Sequence, residues 1–297
     1  MSPLEQPLAP VIPFAPAGAE DTRPIVWICT PLRSFEGTGE MKRADFMKLA
    51  AHYREPIAQL AGDRTLPWQF QLCVVGGGGV ARARNFIVAE ARKAVKRPKR
   101  VFWVDYDLMP TAQDYVRVLA TMDRTGLPVV GGLYTIRAEN GHWVINFPSA
   151  HGTDNWGLLP VLELGTGFKC YEMSALDKII EKNPWLEVLD DDHKNTQWAV
   201  FSMGPVKDSH WAPHSRWLTE DYWLDWLTRD AGLPVVVDAN VRLRHLEELT
   251  GEIFPKEFPT IPARDEALLA AAQARHDAAQ KSAEAPVAVE PALAATD

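Results

Sequence analysis

The chain has 297 residues, 46% of them hydrophobic, which is enough for one large domain or two small ones with a sizeable core. Its net charge of −8 excludes a protein that coats nucleic acid through an overall positive charge. The three cysteines form no C-x-x-C pair and lie in apolar segments, so we expect buried thiols in a reducing compartment, not a disulfide framework or a zinc site.

The sequence shows no sign of a membrane or secretory protein. No apolar stretch approaches the roughly 18 residues that a membrane span needs. The amino terminus lacks the basic and apolar regions of a signal peptide. We therefore expect a cytoplasmic protein without a membrane partner, and the sequence does not indicate its oligomeric state.

The two ends of the chain differ in composition from the middle. Residues 1–22 are rich in proline and predict a disordered arm, while residues 263–297 predict an alanine-rich helix and a disordered tail. Between them, residues 23–262 predict a single domain.

Strand-like and helix-like segments alternate along this domain, first as four strands and three helices. They are Ile25–Thr30, helix Ala44–Leu60, Trp68–Val75, helix Ala81–Val95, Val101–Val104, helix Thr111–Asp123 and Pro128–Leu133. Later segments are the strands Trp143–Phe147, Leu158–Leu164 and Gly167–Tyr171, a helix Glu220–Ala231 and the strand Pro234–Asp238. The order predicts an α/β fold with a mixed, mainly parallel central sheet and helices on both faces. In such sheets ligands bind beyond the carboxyl ends of the strands.

A run of four glycines follows the second predicted strand. Gly76, Gly78 and Ala81 fit the G-x-G-x-x-G/A spacing of a dinucleotide-binding turn, and Asp105 lies close to where such folds place a ribose-binding acid. An NAD-type oxidoreductase is therefore one alternative.

Three features weigh against an oxidoreductase. The glycine loop follows the second strand, whereas the dinucleotide fingerprint usually follows the first. The acid comes as a pair with one residue between. Arg82 and Arg84 stand at the start of a helix, where positive charge beside free backbone N–H groups suits a diphosphate.

A basic run lies between Arg82 and Arg100, with eight Lys or Arg residues and one acid, Glu90. Such a run is typically a solvated helix face. The other interpretation is an anion-facing surface, which would suit a non-enzymatic nucleic-acid-binding module.

The strongest chemical signal is 101-VFWVDYDLMP-110. In an extended segment, side chains at i and i+2 point to the same side, so Asp105 and Asp107 are expected to converge at a strand end. Paired carboxylate oxygens suit Mg²⁺ or Mn²⁺ held together with substrate phosphates. The alternative is that the aspartates only begin a turn before Pro110.

A second acidic pair opens the late helix. Thr219 is a good N-cap residue, and Glu220 and Asp221 fall in the first turn, where the helix dipole stabilises acids. The dipole lowers the pKa of such a carboxylate, whereas burial among tryptophans raises it. A carboxylate in such a cleft can accept a proton from an attacking hydroxyl. His245 follows the next strand as either a structural histidine or a ligand.

In this order, the pieces resemble the GT-A fold of nucleotide-sugar glycosyltransferases, specifically the family-two-like group. The motifs that carry the resemblance are 25-IVWICTPLR-33, Arg84-Asn85, the D-x-D-like Asp105-Tyr106-Asp107, 165-GTGFKCYEMSAL-176, Glu220-Asp221 and the piece from Asp238 to His245. The resemblance runs from about Pro24 to Leu246. It implies a nucleotide-binding half over 23–135 and an acceptor-binding, catalytic half over 136–262.

The resemblance also implies roles for individual residues. Asp107 and His245 would hold Mn²⁺ or Mg²⁺ on the donor diphosphate, with Asp105 nearer the ribose or the metal. Asp221 would be the base of an inverting reaction, with Glu220 as its substitute. The expected contacts to the nucleotide-sugar are Thr30, Pro31, Arg33, Arg84, Asn85, Asp105 and Tyr106. The expected acceptor contacts are Gly165, Gly167, Trp211 and Trp217.

The sequence thus predicts a hexosyl- or pentosyltransferase that uses a nucleotide-sugar, with UDP favoured. The tryptophans in the later half offer faces on which sugar rings or bases can stack. The expected acceptor is therefore a soluble saccharide or, because of the basic run, a hydroxymethylated base in DNA.

Overall fold

The computed structural model describes residues 21–32, 51–76, 79–138, 141–146, 157–189, 194–207, 215–246 and 252–259. Most of the predicted amino-terminal arm and the whole tail 263–297 lie outside the described residues. The start of the helix predicted from Ala44 also lies outside them.

The described chain forms fifteen strands, and seven of them build the central sheet. In chain order the strands are β1 (Ile25–Leu32), β2 (Gln69–Gly76), β3 (Arg100–Val104), β4 (Val129–Tyr134), β5 (Ile145–Asn146), β6 (Leu158–Val161), β7 (Glu163–Leu164), β8 (Phe168–Glu172), β9 (Glu187–Leu189), β10 (Thr196–Trp198), β11 (Gly204–Lys207), β12 (Ser215–Leu218), β13 (Val235–Leu243), β14 (His245–Leu246) and β15 (Ile253–Phe254). The central sheet has the order β2-β1-β3-β8-β4-β13-β6. Only β8 and β6 run against the other five, which confirms the predicted mixed, mainly parallel sheet.

Five α-helices and one short 3₁₀-helix complete the described structure. They are α1 (Ala51–Gly62), α2 (Val80–Lys93), α3 (Ala112–Thr125), α4 (Met173–Lys182), the 3₁₀-helix Pro184–Leu186 and α5 (Glu220–Asp230). Local sequence explains the ends of α3. Thr111 and Asp114 form a reciprocal capping box at its start, and Gly126 ends it in the left-handed conformation, with a φ of 70°.

The sheet separates two hydrophobic cores. Helices α2, α4 and α5 pack on one face, and α1 and α3 pack on the other. Along β1, Trp27 and Cys29 enter the first core while Val26 and Ile28 enter the second, as the two-residue period of a strand dictates. The two-sided burial explains why the central strands are apolar runs without alternation.

One edge of the sheet collects the positions singled out from the sequence. The five parallel strands all end at this edge, and α5 begins there because it leads back to β13. The antiparallel strand β8 starts at the same edge, directly after Gly165–Gly167. Its insertion between β3 and β4 therefore places this glycine segment beside Asp105, whose backbone N–H donates to the Gly167 carbonyl at 2.9 Å.

The structure also bears on the cysteines and on membrane-spanning helices. The three cysteines are free and buried, as predicted. Within the described residues, no helix is both long and apolar enough to cross a membrane.

Candidate functional site

Arg84 is the centre of a cluster of charges at the carboxyl edge of the sheet. Its side chain is only 2% exposed, yet it contacts three carboxylates that are 24% to 32% exposed. Nη2 donates to Asp105 Oδ1 at 3.0 Å, while Nη1 bonds to Asp221 Oδ1 and lies 3.8 Å from Glu220 Oε1. The guanidinium of Arg84 in α2 therefore connects a carboxylate after β3 with two carboxylates at the start of α5.

The position of Arg84 follows from how α2 begins. Gly79 has a φ of 87°, which glycine adopts without strain, and the helix starts at the next residue. Arg84 then falls on the buried side of the helix, with its guanidinium 5.3 Å from the centre of the Phe201 ring. The neighbouring Asn85 uses both ends of its amide on the backbone of Phe201, at 2.8 Å each. Asn85 therefore ties the chain before β11 to α2.

The three carboxylates differ in acidity because their surroundings differ. Burial acts to raise the pKa of Asp221, but Arg84, Lys169 and the nearby Thr166 together hold it below its ordinary value. Burial, followed by the charge of Asp221, raises the pKa of Glu220. Burial likewise raises the pKa of Asp105, although Arg84 opposes it. The pair at the start of α5 thus combines one strongly acidic and one more basic carboxyl group.

The start of α5 has its predicted residues in place but not the predicted cap bond. Thr219 is the N-cap, and Glu220 and Asp221 lie in the first turn. The Thr219 side chain makes no capping hydrogen bond. The local stabilisation of this end therefore comes from the acids and Arg84.

Tyr134 explains why two glycines precede β8. Its hydroxyl accepts a hydrogen bond from the Gly167 N–H at 2.9 Å. A Cβ on Gly165 would lie 1.9 Å from that hydroxyl, and one on Gly167 would lie 3.0 Å from Asp105 Oδ2. Both positions must therefore stay without a side chain while Tyr134 fills this space. Burial, then the charges of Asp221 and Asp105, raises the tyrosine pKa well above its usual value.

Asp107 and His245 lie next to each other through the backbone. The Leu246 N–H donates to the Asp107 carbonyl at 2.8 Å, and Leu108 forms a β-bridge with His245. The His245 ring is buried, its Nδ1 has no hydrogen-bond partner, and burial followed by the charge of Arg137 lowers its pKa to about 4. The imidazole is therefore neutral at pH 7.

The two aspartates of the D-x-D-like motif face different cations. Asp105 pairs with Arg84, whereas the buried Asp107 is in contact with Arg137. The backbone turns after β3, with the Leu108 N–H donating to the Asp105 carbonyl at 3.1 Å, so the same-side rule for extended residues does not apply here. In the described part of the chain, no group of three or more His, Cys, Asp and Glu side chains is arranged to hold a metal ion.

The other predicted site residues lie as follows. Thr30 and Pro31 are buried at the end of β1, and the Thr30 hydroxyl has no hydrogen-bond partner. Tyr106 is buried in the core on the α1 and α3 face. Trp217 is 68% exposed on β12, three residues before Glu220. Arg33 and Trp211 lie outside the described residues.

Much of the basic run 82–100 is neutralised within the chain. At least five of its eight cations form ion pairs with acids, namely Arg84, Arg92, Arg97, Lys99 and Arg100. Arg100 is almost fully buried between Asp123 and Glu172. These pairs favour a structural role for most of the run over an open anion-binding strip.

Sequence reasoning missed three polar residues of this edge, Tyr134, Arg137 and Thr166. Tyr134 is the last residue of β4 and Arg137 follows three positions later, so the rule that ligands bind beyond strand ends applies to both. Thr166 is buried between the two glycines that were singled out. Its backbone lowers the pKa of Asp221.

Comparison with known proteins gives loose structural likenesses. No protein-family model and no curated protein sequence matches the chain. A protein from STIV aligns at 12% identity over 81% of this chain and 97% of its own length, with a TM-score of 0.42. The catalytic domain of Drosophila β1,4-galactosyltransferase 7, in complex with xylobiose, aligns at 12% identity over 79% of this chain and 71% of its own, with a TM-score of 0.38. CMP:2-keto-3-deoxy-manno-octonic acid synthetase, in complex with CTP, aligns at 13% identity over 86% of this chain and 99% of its own, also with a TM-score of 0.38. At these TM-scores the chains share a broad arrangement of strands and helices and little more.

Proposed function

We propose that the chain is a GT-A-fold glycosyltransferase that moves a sugar from a nucleotide-sugar, with UDP favoured, to an acceptor hydroxyl with inversion. The observation that carries this proposal is the meeting of Asp105, Glu220 and Asp221 on buried Arg84 at the carboxyl edge of the sheet. These residues come from the elements in which the resemblance to family-two-like enzymes expects the donor-binding and base residues.

The charge of the cluster supports the use of a divalent metal. One guanidinium faces three carboxylates, so the cluster carries 1 − 3 = −2 charges when all four groups are ionised. A donor diphosphate is itself an anion and would be repelled from such an edge. A bound cation removes this repulsion, and Mg²⁺ or Mn²⁺ bound by one or two carboxylates plus phosphates is the usual solution.

Asp107 and His245 are the residues that we propose hold this metal. The neutral imidazole with a buried, unpartnered Nδ1 fits a metal ligand, and the neighbouring carboxylate supplies a hard oxygen. When bound, the metal would stabilise the negative charge that develops on the leaving nucleoside diphosphate.

The carboxylates at the start of α5 are the proposed base. The acceptor hydroxyl must lose a proton as it attacks the sugar, and a carboxylate within hydrogen-bonding reach can take it. The resemblance assigns this role to Asp221, yet Asp221 is bound to Arg84 and is the weaker base of the two. Glu220 has the raised pKa and only a 3.8 Å contact to Arg84, so the electrostatics favour Glu220 as the proton acceptor.

The donor nucleotide is expected at the end of β1. Thr30 and Pro31 lie at the strand end next to β3, where Asp105 follows. The buried Thr30 hydroxyl has hydrogen-bonding capacity that no residue of the described structure uses.

The acceptor is expected on the other side of Glu220. Trp217 exposes a large apolar face directly before α5, and Trp185 is 56% exposed and packs edge-on against Trp223 of that helix. Flat exposed rings of this kind suit a saccharide. A hydroxymethylated DNA base is the less favoured acceptor, because most of the basic run is already paired.

The direct test is release of nucleoside diphosphate from a panel of nucleotide-sugars, UDP-sugars first, with soluble saccharides and hydroxymethylated DNA as acceptors. We expect release that needs Mn²⁺ or Mg²⁺ and is lost in Asp107→Asn. Asp230→Asn on the exposed end of α5 is the control and should keep activity. Activity that survives both EDTA and Asp107→Asn would refute the metal assignment.

A thermal-shift screen separates the alternative enzyme class. We expect UDP with Mn²⁺ to raise the unfolding temperature and NAD(H) to leave it unchanged. The opposite pattern would favour an oxidoreductase built on the glycine loop. Mass spectrometry of the acceptors then identifies which of them gains a hexose or pentose mass.

A further inference from the structure

Arg137 has no part in the function described so far, yet it lies against a predicted metal ligand. It follows β4 by three residues, and its Nη2 is in contact with Asp107 Oδ2. The Asp107 side chain is only 4% exposed, whereas that of Arg137 is 36% exposed. A carboxylate buried to this degree needs a positive partner, and Arg137 is the cation that it has in this structure.

The ion pair of Arg137 and Asp107 lies beside the other predicted ligand. Leu108, the residue after Asp107, forms a β-bridge with His245. Positive charge is thus already present where Asp107 and His245 meet. The edge therefore has the oxygen and nitrogen ligands that a divalent metal uses. Among the described residues, however, they are not arranged as a group of three or more metal ligands.

One nitrogen of the His245 ring is available to a metal. The ring is buried, and its Nδ1 has no hydrogen-bond partner in the described structure. A neutral imidazole with one nitrogen left for the ligand is the form in which histidine binds a metal. Tyr134 packs edge-on against the ring, with 5.6 Å between the ring centres, and fixes its orientation.

We propose that Arg137 is the internal counter-ion of a divalent-metal site formed by Asp107 and His245, and that metal binds when this guanidinium leaves Asp107. The inference rests on the metal site of the proposed function. The partly exposed side chain of Arg137 is long enough to swing towards solvent, while Asp107 is fixed in the turn after β3. A displaced guanidinium beside the metal would also be placed to bind the donor diphosphate, for which its planar fork is suited.

Two consequences follow for metal affinity. Metal and guanidinium compete for one carboxylate, so the free enzyme binds metal weakly. A nucleoside diphosphate that attracts the guanidinium relieves this competition, so metal and nucleotide each strengthen the binding of the other by the same factor.

The test is Mn²⁺ binding to the full chain, measured from the electron paramagnetic resonance signal of free Mn²⁺ with and without UDP. Removal of one neighbouring positive charge changes the affinity of a partly buried site for a cation by about tenfold or more. We therefore expect Arg137→Gln to bind Mn²⁺ at least about tenfold more tightly than the wild type when UDP is absent. Arg124→Gln, which removes an equal charge from the last turn of α3, is the matched control and should bind as the wild type does.

Arg137→Lys separates charge from shape. Lysine keeps a cation beside Asp107, so its Mn²⁺ affinity should stay close to that of the wild type. The inference would be overturned if Arg137→Lys and Arg137→Gln gained Mn²⁺ affinity equally. It would also be overturned if the Mn²⁺ affinity of Arg137→Gln were unchanged. Circular dichroism spectra show whether both variants fold. If Arg137→Gln does not fold, Arg137→Ala, which also removes the charge, takes its place.

If Asp107 and His245 do not form a metal site, the Mn²⁺ binding measurements give a different result. The double variant Asp107→Asn, Arg137→Gln should lose the tightened binding. If wild type and Arg137→Gln both fail to bind Mn²⁺ with or without UDP, the site of the proposed function and this inference fall together. If the wild type binds Mn²⁺ as tightly as Arg137→Gln and loses it in Asp107→Asn, only the role of Arg137 is refuted.

Discussion

Helix α5 contacts two buried ion networks that use the same chemistry in different ways. Near its middle, Asp225 pairs with Lys169 of β8 at 2.7 Å, and both side chains are 0% exposed. At its start, Glu220 and Asp221 share Arg84 with Asp105, and all three carboxylates remain about a quarter to a third exposed. We refer to these as the sealed pair and the open cluster.

The sealed pair is complete in charge and in hydrogen bonds. Lys169 Nζ also donates to the Leu164 carbonyl at 2.6 Å, and Asp225 accepts from the Leu164 N–H at 2.6 Å and from the Tyr171 hydroxyl at 3.0 Å. One positive and one negative group cancel, so no capacity is left for a ligand. This pair fixes α5 to the chain directly before the Gly165–Gly167 segment.

The open cluster is incomplete in both respects. Three carboxylates share one guanidinium, which leaves negative charge and free oxygen atoms facing solvent. Burial of an ion network therefore does not by itself mark a functional site. The mark is a buried cation whose acidic partners outnumber it at an accessible edge.

Substitution of the acids in the open cluster should give the largest effect on activity. We expect Glu220→Gln and Asp221→Asn each to reduce kcat/KM by about 10²- to 10⁴-fold, the usual contribution of a positioned base. The loss of folding stability should be smaller than on breaking the sealed pair, because Arg84 keeps two of its three carboxylate partners. Steady-state kinetics and urea unfolding on the same preparations check both parts. Asp230→Asn at the exposed end of α5 is the control. A large loss of stability without a specific loss of activity would erase the distinction between the two networks.

Breaking the sealed pair should give the largest effect on stability. Asp225→Ala leaves Lys169 charged and buried without its partner, which typically costs about 3–5 kcal/mol of unfolding free energy. Asp230→Ala on the same helix removes an exposed pair with Lys182 and should cost less than about 1 kcal/mol. Urea denaturation of the two variants provides the comparison, and equal losses would contradict it.

A steric prediction concerns the segment that joins the two networks. Gly165→Ala places a methyl group against the Tyr134 hydroxyl and should cost about 1–3 kcal/mol, as overpacking of a buried site does. Tyr134→Phe removes that oxygen, so the double variant should recover part of the loss. A double-mutant cycle in urea measures the coupling, and purely additive losses would mean that the two groups do not collide.

The smallest effect is a shift in the pH dependence of activity. A base works only when it is deprotonated, so kcat/KM falls as the pH drops through its pKa. If Glu220 is the base, this acid limb lies above the ordinary glutamate value of 4.5. If Asp221 is the base, it lies below the ordinary aspartate value of 3.8.

A second variant sharpens the pH test. The charge of Asp105 helps to raise the pKa of Glu220, so Asp105→Asn should move the acid limb to lower pH. The initial rates of the wild type and Asp105→Asn, measured at low substrate over a pH series, decide between the two carboxylates. Because the groups interact, the measured values belong to the pair.

Local sequence was sufficient to predict most strands and the residues at their ends. The apolar runs of β1, β2, β3 and β4 are bounded by glycine, proline and aspartate. Each of these strands can therefore be recognised from its own local sequence. For this reason the position of Asp105 beyond a parallel strand followed from the order of elements, whereas its grouping with Glu220 and His245 was implied by the resemblance.

Pairings between distant residues could not be predicted in the same way. The insertion of β8 between β3 and β4 depends on long-range hydrogen bonds that leave no mark on the local pattern. Lys169 is a charged residue inside an apolar strand, but nothing near it points to Asp225, 56 residues later. Likewise, no local signal shows that Asp105 faces Arg84 while Asp107 faces Arg137.

The contact of Tyr134 with Gly165 and Gly167 has a consequence for how relatives of this chain would be recognised. The two glycines are required by the ring across from them, not by their own turn, since neither has a positive φ. In an alignment, positions 134, 165 and 167 should therefore change together, with small residues at 134 accompanied by alanine or serine at the other two. A search that treats G-x-G as a fixed signature would overlook such relatives, whereas one that scores the three positions jointly would find them.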